Sequence, residues 1–185
     1  MRELASKGQL RLAYLRWAIV TVPLILLLGF ASGRVAPSGD ENAWFMALDK
    51  PSIMPPGWAF PVAWSILYIL MGLALAIVIN ARGSRKRVPA LIVFGIQLML
   101  NLAWTPVFFG MHRIVSALVI IGSLVVLVAI TIALFWQVRR TAVLLLLPYL
   151  AWICFAFVLL YQIHVLKPDA QTLVPSRMTD QIEIR

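Results

Sequence analysis

Residues 113–139 read RIVSALVIIGSLVVLVAITIALFWQVR. Between Arg113 and Arg139 no charged side chain interrupts a run of mostly Ile, Leu, Val and Ala. About 20 such residues cross a hydrocarbon core of roughly 30 Å as an α-helix. The run is too long and too uniformly apolar for a barrel strand, which is shorter and alternates. Helix is the conformation left, because unpaired backbone groups in lipid are costly.

The same spacing of charge recurs along the chain. No Asp, Glu, Lys or Arg occurs between Arg16 and Arg34, Lys50 and Arg82, Arg87 and Arg113, or Arg140 and Lys167. The expectation is an all-α integral membrane protein, a bundle of five transmembrane helices at 12–33, 61–81, 88–109, 114–138 and 142–166. Composition agrees. Of 185 residues 62% are hydrophobic and 12% charged, more apolar surface than a water-soluble fold of this size hides. A signal peptide is the competing account of the first span, which has a basic front and small residues at Ala31, Ser32 and Gly33. Its apolar run is longer than a signal core, which favours a retained helix. The single cysteine, Cys154, excludes an intrachain disulfide and a Cys-rich metal site.

The net charge of +9 would suggest nucleic acid in a soluble protein. Here the positive charges are placed for topology, and no nucleic-acid partner is expected. Ten of the 16 basic residues fall on one side: Arg2, Lys7, Arg11 and Arg16, then Arg82, Arg85, Lys86 and Arg87, then Arg139 and Arg140. Arg34, Lys50, Arg113, Lys167, Arg177 and Arg185 fall on the other. The positive-inside bias puts the N-terminus inside and the C-terminus outside. A basic extension, 1–11, precedes the membrane domain, 12–166, and a polar tail, 167–185, follows it. Short loops join spans two to five, so these are expected to pack as antiparallel neighbours.

The first loop, 34–60, is long and carries Trp44 and Trp58 with the acids Asp40, Glu41 and Asp49. Long ordered loops in compact proteins are often lids. Residues 50–64, KPSIMPPGWAFPVAW, hold four prolines and two tryptophans. The prolines stiffen the approach to the second span. A rigid connector and a rigid lid both fit.

Polar side chains at membrane depth face the bundle interior or a cavity. Gln97 and Asn101 stand four residues apart on one face of the third span, and Trp104 continues that face. Asn101 lies about 20 Å up its helix, in the outer half. Trp64 and Tyr68 lie in the first outer turns of the second span. Tyr149, Trp152 and Ala156 climb one face of the fifth. These residues can converge under the first loop, as a lidded aromatic pocket for a large, planar, apolar ligand. They are equally open to another account, in which tryptophans anchor at the interface and amides bond neighbouring helices. Gly29 with Gly33, and Gly72 with Ala76, form small-residue pairs that let helices approach closely, within the chain or between copies.

Three stretches carry a resemblance: KPSIMPPGWAFPVAW at 50–64, QLMLNLAWTPVFFGMHR at 97–113 and PYLAWICFAFVLLY at 148–161. In this order and spacing the chain resembles the TspO/MBR family of tryptophan-rich sensory proteins, over about residues 40–166. The resemblance implies a five-helix fold whose first loop lids a pocket. It implies binding of porphyrins such as protoporphyrin IX or haem, and of cholesterol-like lipids, with no obligatory cofactor and no metal site. By position Trp64 and Trp152 match the family's pocket tryptophans, Asn101 its third-helix asparagine and Ala156 its small fifth-helix residue. Leu159, Tyr161 and Lys167 match its proposed sterol motif. A homodimer is implied too. The chain departs from the pattern at Ile53 and Met54 in the lid and at Ile120 in the fourth span, making the pocket less aromatic and less polar.

Two functions follow from the resemblance, a receptor, transport or sensory protein for tetrapyrroles and an enzyme that degrades porphyrin in light with oxygen. No standard catalytic constellation appears, since all seven acids lie in loops or tails. Trp64 and Trp152 are the only catalytic candidates. His112 and His164 sit at span ends, where a solvated or membrane-facing role competes with haem ligation.

Overall fold

Every long charge-free run holds a helix, and α1 extends past the charges at its start. The computed structural model describes residues 7–168. Most of the two terminal segments therefore lies outside the described residues. The long helices are α1 (Lys7–Gly33), α3 (Ala59–Asn80), α4 (Arg87–Thr105), α5 (Ile114–Val138) and α6 (Arg140–Leu166); a short α2 (Ala43–Met46) lies in the first loop. All five long helices are long and apolar enough to cross a membrane. The first expected span began at residue 12, but α1 runs from Lys7. Charge ends a lipid-soluble run without ending a helix, and arginine is a good helix former.

The helices pack in the order α1 on α3, α3 on α6, α6 on α5 and α5 on α4, while α4 meets α1 only sparsely. This corrects one expectation. Spans two and three, α3 and α4, touch only sparsely although a short turn joins them. The turn leaves room for α1 and α6 to take the two sides of α3. Exposed apolar side chains such as Ile19, Leu27, Val119, Val126 and Leu144 form the belt that lipid would cover.

Glycine decides how closely α1 meets α3. A Cβ on Gly72 would lie 2.6 Å from the Val22 Cα. The same bare backbone lets Thr21 Oγ1 reach the Gly72 carbonyl at 2.8 Å, with the Trp17 carbonyl as its alternative acceptor at 2.9 Å. A Cβ on Gly29 would run into the Tyr68 ring. Gly29 and Gly72 therefore serve packing within the chain. On the α4 side, Ser32 donates to the Leu102 carbonyl at 2.5 Å.

The first loop is held down by its own residues. Asn42 accepts from the Phe45 N–H at 3.0 Å, capping α2. Its amide also donates to the Pro37 carbonyl at 2.8 Å and to the Phe109 carbonyl at 3.0 Å. Phe109 lies in a π-helical turn, Pro106–Gly110, that widens the end of α4. Trp44, Phe45 and Leu48 then bury themselves against Phe108, Ile114, Ala117, Leu160 and Ile163. At the end of α6, Lys167 donates to the Ala47 carbonyl at 3.2 Å and pairs with Asp49 at 3.6 Å. The loop thus lies on the ends of α4, α5 and α6.

Candidate functional site

The polar residues expected at membrane depth meet in one hydrogen-bonded chain. Tyr68 of α3 donates to the Asn101 Oδ1 at 3.1 Å. The Asn101 amide donates to the Tyr149 hydroxyl of α6 at 3.1 Å, and Tyr149 donates to the Gln97 Oε1 at 3.0 Å. All four residues are buried. Three helices contribute, so the chain ties α3, α4 and α6 together where their backbones offer no bonds to one another. Its remaining donor, Gln97 Nε2, is buried without a partner among the described residues.

Trp64 of α3 lies against two members of this chain, and Trp152 stands on the adjacent helix α6. Trp64 leans on Tyr68 with ring centroids 5.4 Å apart and meets the Tyr149 ring edge-on at 6.3 Å. Trp152 meets Phe60 of α3 at 6.0 Å and Phe155 at 5.7 Å. Both indoles are half-buried and pack on the main core cluster. Each retains some accessible surface, and α3 and α6 pack directly on one another. Tyr68 and Tyr149 stand beneath Trp64, so flat apolar faces lie directly above hydroxyl and amide groups.

Trp104 and Ala156 belong to the neighbouring cluster under the first loop, together with Met54. Trp104 stacks on Phe108 at 5.1 Å and 17°, and its indole N–H is buried without a partner among the described residues. Ile53 is exposed and Ile120 half-buried.

Two expected site tryptophans and the three sterol-motif residues have other placements. Trp44 is 1% exposed. It meets Phe108 edge-on at 5.3 Å and stacks on His112 at 4.6 Å, so it anchors the loop and presents no free face. Trp58 is 69% exposed and packs in neither core cluster, because it stands at the N-cap of α3. The sterol-motif residues share no surface. Leu159 is buried, Tyr161 is exposed, and Lys167 is engaged by Asp49 and the Ala47 carbonyl. Residues two apart on a helix point in different directions, which separates Leu159 from Tyr161.

Some features were not read from sequence. The anchoring role of Asn42 had a signal, an asparagine just ahead of the apolar pair Trp44 and Phe45. His112 adopts a left-handed backbone, φ 56°, at the end of the π turn. That conformation ends the helix and brings its ring against Trp44.

Comparison with known proteins places the sequence beside a family. Residues 19–166 match the model of the TspO/MBR family. The chain is 40% identical to the Tryptophan-rich protein TspO of Chlorobaculum tepidum over 148 residues, covering 80% of this chain and 93% of that protein. It is 40% identical to the Tryptophan-rich sensory protein of Cereibacter sphaeroides, covering 70% and 82%. To the human Translocator protein it is 37% identical, covering 72% and 80%.

Proposed function

The chain belongs to the TspO/MBR family, and from that premise we propose that it is a membrane receptor or sensory protein that binds tetrapyrroles at the Trp64–Trp152 seam. The names of its relatives, tryptophan-rich sensory protein and translocator protein, support the receptor or sensory role. The observation that carries the choice of ligand is the pair of half-buried indoles on adjacent helices, one of which, Trp64, lies against the buried Tyr68–Asn101–Tyr149–Gln97 chain. Flat aromatic faces stack on a planar ring system. The unpartnered Gln97 Nε2 is a donor for a polar group on a ligand that enters deeply. A sterol-like lipid is a second occupant of the same apolar seam, in preference to the dispersed Leu159, Tyr161 and Lys167.

The test is a titration of purified protein with protoporphyrin IX in the dark, followed by tryptophan fluorescence. Saturable quenching with one porphyrin per chain supports the proposal. Quenching that rises linearly without saturation would overturn it. Repeating the titration in light, while following the Soret band, separates binding from degradation: a stable band marks a receptor, and steady bleaching that needs the protein marks an enzyme.

A further inference from the structure

The end of the bundle away from the first loop is basic throughout. The described acids Asp40, Glu41 and Asp49 all lie in the first loop. Arg11, Arg16, Arg82, Arg85, Lys86, Arg87, Arg139 and Arg140 gather at the opposite end, with no acid there among the described residues. Most of this charge is simply solvated or snorkels toward water. One part of it is shaped. A cleft of about 300 Å³ opens between the first turns of α1 and the end of α3, lined by Ala13, Arg16, Trp17, Val20, Asn80 and Arg82.

The lining divides by chemistry. Arg16 enters from α1 and Arg82 from the turn that follows α3, and neither side chain has a hydrogen bond or ion pair among the described residues. Asn80 adds a neutral amide beside them. Trp17 and Val20 continue the cleft along α1 toward the apolar belt, and both are exposed. A guanidinium is a planar fork that matches a phosphate oxygen pair. Basic clefts between transmembrane helices at a membrane face hold anionic lipid head groups. A free anion would use only the arginines. A phospholipid would use the whole lining, its phosphate at Arg16 and Arg82 and its acyl chain along Trp17 and Val20.

We propose that this cleft is a binding site for one anionic phospholipid of the leaflet at the basic end. It pins α1 to α3, the pair that already meets closely at Gly72. The site is separate from the tetrapyrrole seam. Trp64 stands 16 residues before Asn80 on α3, about 24 Å away at 1.5 Å per residue. Its success or failure is therefore independent of the function proposed above.

Native mass spectrometry of the detergent-solubilised protein tests it, with phosphatidylglycerol and phosphatidylcholine of identical acyl chains as probes. One phosphatidylglycerol should bind about 25-fold tighter than phosphatidylcholine, from about fivefold for each of the two arginines. The double variant Arg16→Gln/Arg82→Gln should lose that preference. Arg85→Gln/Lys86→Gln removes equal charge from the same end outside the cleft and should keep it. Should the first pair unfold, the milder Arg16→Lys/Arg82→Lys retains charge without the fork and should show a reduced preference. Inorganic phosphate in large molar excess should not displace the lipid. The proposal is overturned if both Gln pairs lose the preference equally, if the Lys pair keeps all of it, or if inorganic phosphate competes fully.

Discussion

Replacing Asn101 with Leu should destabilise the bundle through a hydroxyl that it strands on another helix. Asn101 is the middle of the buried chain, accepting from Tyr68 and donating to Tyr149. Leucine has the same number and branching of heavy side-chain atoms and offers neither group. Tyr149 keeps Gln97 as its acceptor at 3.0 Å. Tyr68 has no second acceptor in the chain of bonds, so its hydroxyl is left buried and unpaired. Such a group costs about 1–3 kcal/mol. Interhelical bonds within membranes average nearer 0.6 kcal/mol, because the unfolded chain in the membrane also finds partners. The expected loss is therefore about 1–2 kcal/mol. Tyr68→Phe removes the stranded hydroxyl, so Asn101→Leu should cost less in that background. A double-mutant cycle by reversible unfolding in mixed detergent micelles, followed by circular dichroism, should give a coupling of about 0.5–1 kcal/mol. Additive single effects would refute the reasoning, since uncoupled residues do not share a bond.

Gly72→Ala should lower stability by about 1–3 kcal/mol, because its Cβ meets α1 backbone that cannot swing aside. Gly33→Ala, with nothing within 4 Å of the added carbon, is the control and should be neutral in the same melting assay. Asn42→Ala removes a helix cap and two loop-to-backbone bonds, so amide hydrogen exchange at residues 43–48 should rise severalfold while that of α5 stays unchanged. Lys167→Gln breaks a largely exposed ion pair and should change stability by less than about 1 kcal/mol, as read from the melting midpoint.

The five-helix fold was legible because charge spacing reports lipid depth directly. Arg113 and Arg139 bracket α5 to the residue. Helix order was not legible. The turn between Asn80 and Arg87 is short enough to suggest neighbours, but short turns fix direction and not contact. The close fit of α1 on α3 at Gly29 and Gly72 depends on three-dimensional approach, which spacing along the chain does not report. The polar site was half legible. The i, i+4 spacing of Gln97 and Asn101 placed both inward, and Tyr68 and Tyr149 were at the right height. That these four bond to one another required the packing order, which brings α3 and α6 together beside α4. Trp44 and Trp58 were indistinguishable in sequence, two loop tryptophans near prolines. Only the Asn42 cap and the π turn at Pro106–Gly110, which set Phe108 and Phe109 in place, decide that one is buried and the other exposed.

A tetrapyrrole bound as proposed lies against both Trp64 and Trp152. Porphyrin affinities of Trp64→Phe, Trp152→Phe and Trp136→Phe, measured in parallel by absorbance titration, test it most directly. Trp136 is the control, because it lies near the basic end of α5 with Arg140 over its ring at 4.7 Å. Each aromatic contact contributes about 0.5–1.5 kcal/mol beyond its area, so loss of either seam indole should weaken binding roughly threefold to tenfold. Trp136→Phe should bind as the parent does. Equal weakening in all three variants, or none in any, would contradict the account and place the ligand elsewhere.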